Sequence, residues 1–67
     1  MQLTTEIERE TDGRWIAEVM ELPGAVAYGE TPQEALSKAK ALALHILAEK
    51  MRHGETSDLT EISFAAA

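Results

Sequence analysis

Few side chains in this sequence have the types and spacing that catalysis or metal binding requires. His45 and His53 lie eight residues apart in a helical pattern, whereas two histidines that share a metal on one helix are spaced i, i+4. No serine has a histidine at a recognisable motif spacing, and the glycines are isolated instead of forming a phosphate-binding loop. We therefore predict that the protein is not an enzyme and binds no metal or cofactor.

Acidic residues are the remaining candidates for chemistry. Glu6, Glu8 and Glu10 alternate along one strand and share one face. They lie side by side without a glycine loop, which is typical of a solvated face, and a metal-dependent hydrolase would need them to converge on a divalent ion. The net charge is −6, from 12 acidic and 6 basic residues. This charge disfavours direct binding of nucleic acid and favours a basic protein as partner.

Hydrophobic periodicity predicts an α+β domain in which an antiparallel sheet carries one long helix on one face. The predicted order is β-β-β-α-β, with strands at 2–10, 14–20, 25–28 and 59–64 and a helix over Pro32–Arg52. Thr31 is the expected helix cap, Pro32 suits the first helical position, and Glu34 completes a capping box. We expect one domain over residues 1–64, with 65–67 as a frayed tail.

The first two strands should be joined by the three-residue loop Thr11-Asp12-Gly13. This loop places Trp15, Ala17 and Val19 on the face of Ile7, whereas a two-residue loop would set them opposite the glutamates. Trp15 is therefore predicted to lie in the core.

A chain of 67 residues without cysteine has a small core and no disulfides. Self-association is a common way to bury more surface, and the helix flank beyond the main apolar stripe offers Leu44, Leu47 and Met51 for a homo-oligomer. A broad core face would explain the same residues. The chain lacks a signal-peptide pattern and a membrane-spanning run, so a cytoplasmic protein without membrane contact is expected.

Two motifs resemble the HicB antitoxin family. They are Glu21-Leu22-Pro23-Gly24 and, after a short strand, Gly29-Glu30-Thr31-Pro32-Gln33-Glu34-Ala35 at the start of the long helix. The hairpin before them, from Ile7 to Trp15, is also similar, and the resemblance covers roughly residues 2–52. It implies an inactive, partly degraded RNase H-like fold that neutralises HicA, a small basic toxin that cleaves mRNA. Many members carry a further DNA-binding domain, which has no counterpart in this sequence.

The resemblance suggests an antitoxin-like binding module. The expected contact is the acidic strand face together with the Leu-Pro-Gly loop, in which glutamates meet basic residues of the toxin and two larger side chains act as anchors. The partner-binding residues predicted on this basis are Glu6, Glu8, Glu21, Leu22, Tyr28 and Glu30. The alternative function is a self-associating adaptor or regulatory domain that binds another small protein or ligand.

Overall fold

The computed structural model describes residues 1–55 and 61–67, and the predicted α+β fold is confirmed. The elements are β1 (Gln2–Arg9), β2 (Trp15–Val19), β3 (Val26–Gly29), α1 (Pro32–Arg52) and β4 (Ser63–Ala66). The helix bounds agree with the prediction, and α1 packs on one face of a four-stranded sheet. No helix in the described ranges is long and apolar enough to cross a membrane.

The sheet is mixed, which corrects the prediction of an antiparallel sheet. Its strand order is β3-β2-β1-β4, and β1 pairs antiparallel with β2 but parallel with β4. The reason is the direction of α1. Successive hairpins make β1 and β3 run the same way, the helix returns in the opposite direction, and the strand that follows it is again parallel to β1. β4 lies at a sheet edge.

The register of the first hairpin confirms the three-residue loop. Arg9 lies opposite Trp15 and Ile7 opposite Ala17, and the Gly13 N–H donates to the Glu10 carbonyl at 3.0 Å. Gly13 has a φ of 92°, a conformation that costs glycine little. Trp15 is half-buried against the core instead of enclosed by it, with the Arg9 guanidinium 5.7 Å from the centre of its ring.

The last strand begins and ends later than predicted. Leu59 and Thr60, its predicted first residues, lie outside the described residues, whereas Ala65 and Ala66 belong to β4. The Ala67 N–H donates to the Thr5 carbonyl at 2.9 Å, so the prediction of a frayed tail at 65–67 is wrong. Strand pairing uses backbone groups, and the free edge of β1 can therefore recruit alanines that have almost no side chain to pack.

The core is a thin layer between α1 and the strands β2 and β3. Its buried apolar residues are Leu3, Ala17, Val19, Leu22, Ala25, Ala35, Ala39, Ala43 and Leu47. The helix contributes every fourth residue from 35 to 47, which places these side chains in one row. Because three of the four are alanines, the helix backbone can approach the sheet closely.

Candidate protein-binding face

One face of the sheet is left uncovered by the helix. Thr5, Ala17 and Val19 are buried beneath α1, so the alternate residues of these strands point away from it. We call this surface the open face, and its central residues are Glu6, Glu8, Ile16, Glu18, Val26 and Tyr28. They form two rows across three strands, Glu6–Glu18–Val26 and Glu8–Ile16–Tyr28.

Three carboxylates share the open face without basic partners. Glu6 lies directly opposite Glu18, and Glu8 is the next residue of β1 on the same side. Like charges directly opposite each other in a sheet are destabilising. Within the described ranges no ion pair involves these three residues, and the cation beside Tyr28, Arg14, is paired with Asp12 instead. The open face therefore carries uncompensated negative charge.

Apolar side chains lie among the acidic residues of the open face. A shallow concavity of about 180 Å³ is lined by Glu6, Ile7, Glu8, Glu10, Ile16 and Glu18. Ile16 and Val26 are half-buried, whereas Tyr28 is exposed on the neighbouring strand. A small apolar centre with a charged rim is the arrangement found in many protein–protein interfaces.

The Tyr28 ring contacts a cation from the hairpin. The Arg14 guanidinium lies 4.5 Å from the centre of the Tyr28 ring, and its Nε donates to Asp12 at 2.8 Å. The Arg14 backbone N–H also donates to Asp12, at 3.0 Å. Both hydrogen bonds lower the pKa of Asp12, and the one from the backbone N–H has the larger effect. Tyr28 is therefore an exposed aromatic whose charged neighbour is already engaged.

The structure brings together three of the six residues predicted to bind a partner, Glu6, Glu8 and Tyr28, on the open face. Glu21 has a structural contact. Its carboxylate accepts a hydrogen bond from the Thr4 N–H at 2.7 Å, and that bond lowers the pKa of Glu21. The carboxylate thus occupies the place that a strand carbonyl would take beyond the end of β2.

Leu22 is not an exposed anchor, because only 6% of its surface is accessible and it belongs to the core. Two backbone hydrogen bonds close the turn around it: its N–H donates to Val19 at 3.2 Å and its carbonyl accepts from Ala25 at 3.0 Å. Gly24 adopts a φ of 97° in the same turn. The Leu-Pro-Gly motif therefore turns a core side chain inward.

Glu30 lies between β3 and α1, where its backbone matters more than its carboxylate. Its N–H donates to Glu34 Oε1 at 3.0 Å, and this bond, followed by the charge of Lys38, lowers the pKa of Glu34. The Glu34 N–H donates to Thr31 Oγ1 at 3.1 Å, which confirms Thr31 as the cap. The predicted capping box is shifted, since Glu34 reaches the residue before the cap.

Gly29 explains the remainder of the second motif. A Cβ atom at this position would lie 2.5 Å from the backbone nitrogen of Ala35 and 2.9 Å from Glu34 Cβ. Only glycine allows the first turn of α1 to approach β3 this closely. The motif from Gly29 to Ala35 thus joins a strand to a helix.

The predicted self-association residues divide between surface and core. Leu44 and Met51 are exposed, but Leu47 is only 2% accessible and packs beneath the helix, so it cannot form part of a surface patch. Leu47 continues the i, i+4 row of Ala39 and Ala43, which faces the sheet.

Sequence reasoning missed Glu18, Ile16 and Val26 as members of the open face. The first two could have been found, because the three-residue loop that we predicted sets Glu6 opposite Glu18 and Glu8 opposite Ile16. Val26 depended on the register between β2 and β3, for which the turn around Leu22 provides no comparable rule.

Within residues 1–55 and 61–67, no group of three or more histidine, aspartate or glutamate side chains is arranged to hold a metal ion. Comparisons of the chain with models of protein families, with curated proteins and with solved structures gave no match. The open face and the motifs that resemble HicB proteins are therefore the features that point to a function.

Proposed function

We propose that this protein is an antitoxin-like binding module that neutralises a small, basic, mRNA-cleaving toxin of the HicA type, and that it acts without catalysis of its own. The observation that carries the proposal is the cluster of Glu6, Glu8 and Glu18 around Ile16 on the open face. Such a toxin acts on mRNA, so the complex would form in the cytoplasm.

The electrostatics of the open face support a basic partner. Glu6 and Glu18 repel each other in the free protein, and lysine or arginine side chains from a partner would relieve that repulsion on binding. A toxin that binds RNA carries such cations on its RNA-binding surface. Complementary charge mainly accelerates association and selects the partner.

The apolar centre would supply the affinity. Tyr28 is large and exposed beside Arg14, and a tyrosine has few side-chain torsions to order on binding. Ile16 and Val26 lie beside it on neighbouring strands. Aromatic residues surrounded by contacts that exclude water are frequent hot spots.

A charge reversal on the open face tests the proposal with a HicA-type toxin as the binding partner. Glu18→Lys should slow association by roughly tenfold at low salt and reduce its dependence on salt. Glu55→Lys, which makes the same change at an exposed residue beyond the helix, is the matched control. Association rates of folded variants at two salt concentrations decide the outcome. Equal effects of both variants, or no binding by the unaltered protein, would contradict the proposal.

The second candidate is a self-associating adaptor without a toxin partner. Leu44 and Met51 favour it, because both are exposed on one side of α1. The same side carries Lys40, whose Nζ lies 5.3 Å from the centre of the Phe64 ring. Purification of the tagged protein from its native cells distinguishes the two candidates. A stoichiometric small basic protein supports the antitoxin, and recovery of a homo-oligomer alone supports the adaptor.

A further inference from the structure

Strand β3 presents an unpaired edge. Among residues 1–55 and 61–67 it ends the sheet and pairs only with β2. The Val19 N–H donates to the Ala25 carbonyl at 2.9 Å, and in an antiparallel pair the backbone groups of successive residues point alternately toward and away from the neighbouring strand. Ala27 therefore bonds toward β2, whereas the N–H and C=O groups of Val26 and Tyr28 face outward. Such a row of free groups is a ready site for another strand.

An apolar groove runs beside this edge. It has a volume of about 400 Å³ and lies between Ala27 of β3 and the flank of α1 formed by Lys38, Ala41 and Leu42. Leu42 is 39% exposed at the middle of the helix. An added strand alone would leave the groove open above it, so the occupant must also bring apolar side chains on the helix side of the sheet.

We propose that the occupant is a second copy of this chain, which pairs antiparallel through β3 to form one continuous sheet with both helices on the same side. Directly opposite residues in an antiparallel pair point to the same face of the sheet. Because both helices lie on one side, the twofold axis must pass between a residue and the same residue of the other copy. When the two copies of Ala27 lie opposite each other across the axis, Val26 of each copy lies opposite Tyr28 of the other. All the outward backbone groups of these two residues are then paired.

The position of α1 fits this arrangement. The helix packs mainly over β2 and β3 and less over β1, and it reaches β4 through the Lys40 side chain, which lies over the Phe64 ring. Neighbouring strands are about 4.8 Å apart. A helix above the middle of β2 and β3 lies about one strand spacing from the axis, and two such helices are roughly 10 Å apart. This is the usual distance between packed helices.

Charge permits the contact despite the net charge of −6. Glu6, Glu8 and Glu18 lie on the opposite side of the sheet from the helices. The first turn of α1 is acidic at Glu34, and the last turn carries the basic residues Lys50 and Arg52 together with Glu49. The twofold axis makes the two helices antiparallel, so the acidic end of each lies beside the basic end of the other. Val26 and Tyr28 also form a favourable cross-strand pair on the open face.

Cysteine cross-linking tests the register, because the chain has no native cysteine. Ala27→Cys should form an intermolecular disulfide on mild oxidation, since two Cα atoms in a non-hydrogen-bonded pair are about 4.5 Å apart. Val26→Cys is the matched control on the same strand. Its two copies would be about 7–8 Å apart and should cross-link far less. Equal cross-linking at both positions, or none at residue 27, would overturn the proposed pairing.

Leu42 tests the helix contact without altering β3. The unaltered protein should sediment as a dimer at micromolar concentration, and Leu42→Glu should shift it to a monomer with unchanged circular dichroism. Leu44→Glu, on the other flank of α1 and 46% exposed, should leave the dimer intact. A monomeric parent protein contradicts the proposal, and so does a dimer that is lost with Leu44→Glu but retained with Leu42→Glu. Binding of a toxin is not required for either result.

Discussion

The two faces of the sheet are built from residues of different physical roles. On the helix side, Leu22, Gly29 and Thr31 each satisfy a specific requirement of the fold: a buried side chain, a close approach and a helix cap. On the open face, Glu6 and Glu18 oppose each other at a cost to stability. The motifs that resemble HicB proteins belong mainly to the first group. The resemblance is therefore carried by residues that build the fold, whereas the proposed binding residues lie on the face that folding does not require.

Among the changes that test this comparison, truncation of Leu22 should lower the free energy of unfolding the most. Leu22→Ala removes a buried side chain from the core and should lower the free energy of unfolding by about 2–4 kcal/mol. Leu44→Ala, the same change at an exposed position, should alter it by less than about 0.5 kcal/mol. Chemical denaturation measures both. A small effect at Leu22 would mean that the turn can be exposed, and it would restore this residue as a candidate contact.

A side chain at Gly29 is expected to be nearly as harmful. Gly29→Ala forces the first turn of α1 away from β3, because the new Cβ would meet the Ala35 nitrogen, and about 2 kcal/mol should be lost. Gly54→Ala is the control without such a neighbour, since nothing lies within 4 Å of an added Cβ there, although its φ of 72° carries a backbone cost of its own. Thermal unfolding of both variants separates the steric clash from the backbone effect. Equal losses would argue against the close approach.

Glu21 should make the free energy of unfolding depend on pH. The hydrogen bond from Thr4 lowers the pKa of Glu21 in the folded protein, so the unfolded chain binds its proton at higher pH. The stabilisation is present above the ordinary glutamate pKa and is lost as the pH falls through the lower folded value. Glu21→Gln should flatten this part of the pH profile of unfolding. NMR titration of the Glu21 carboxyl provides a direct check, and an ordinary pKa would rule out the contact.

Neutralising the open face should have the smallest effect on stability, and one of opposite sign. Glu18→Gln removes the repulsion with Glu6 and should raise the free energy of unfolding by a few tenths of a kcal/mol. The same variant should bind the basic partner more weakly. Glu55→Gln, which lies outside the sheet, should change neither quantity. A loss of stability with Glu18→Gln would show that this carboxylate serves the fold after all.

Local signals in the sequence were sufficient for much of the fold. Thr31 and Pro32 located the start of the helix, and its periodicity located the end at Arg52. The pattern around Gly13 led to the correct loop and hence to the correct pairing of β1 with β2. These features depend on hydrogen bonds and dihedral angles among near neighbours, which residue types specify directly.

The candidate site was less accessible to such reasoning. Glu6, Glu8 and Tyr28 were identified, but Leu22 and Leu47 were assigned to the surface and are buried. A leucine in a loop and a leucine at the border of a helix stripe have the same hydrophobicity whether or not another element covers them. Their burial depends on where α1 comes to lie over β2 and β3.

The sequence by itself determined the element order, the helix bounds, the first hairpin and the acidic character of β1. Only the tertiary structure decided that β4 is parallel to β1, that Ala65 and Ala66 join the sheet, and that Val26 lies opposite Glu18. Within the part of the chain that it describes, it also places the edge of β3 at the end of the sheet, next to Leu42. The physical reason is the range of the interactions, because capping and turns act within a few residues, whereas sheet order and burial depend on strands far apart in the chain.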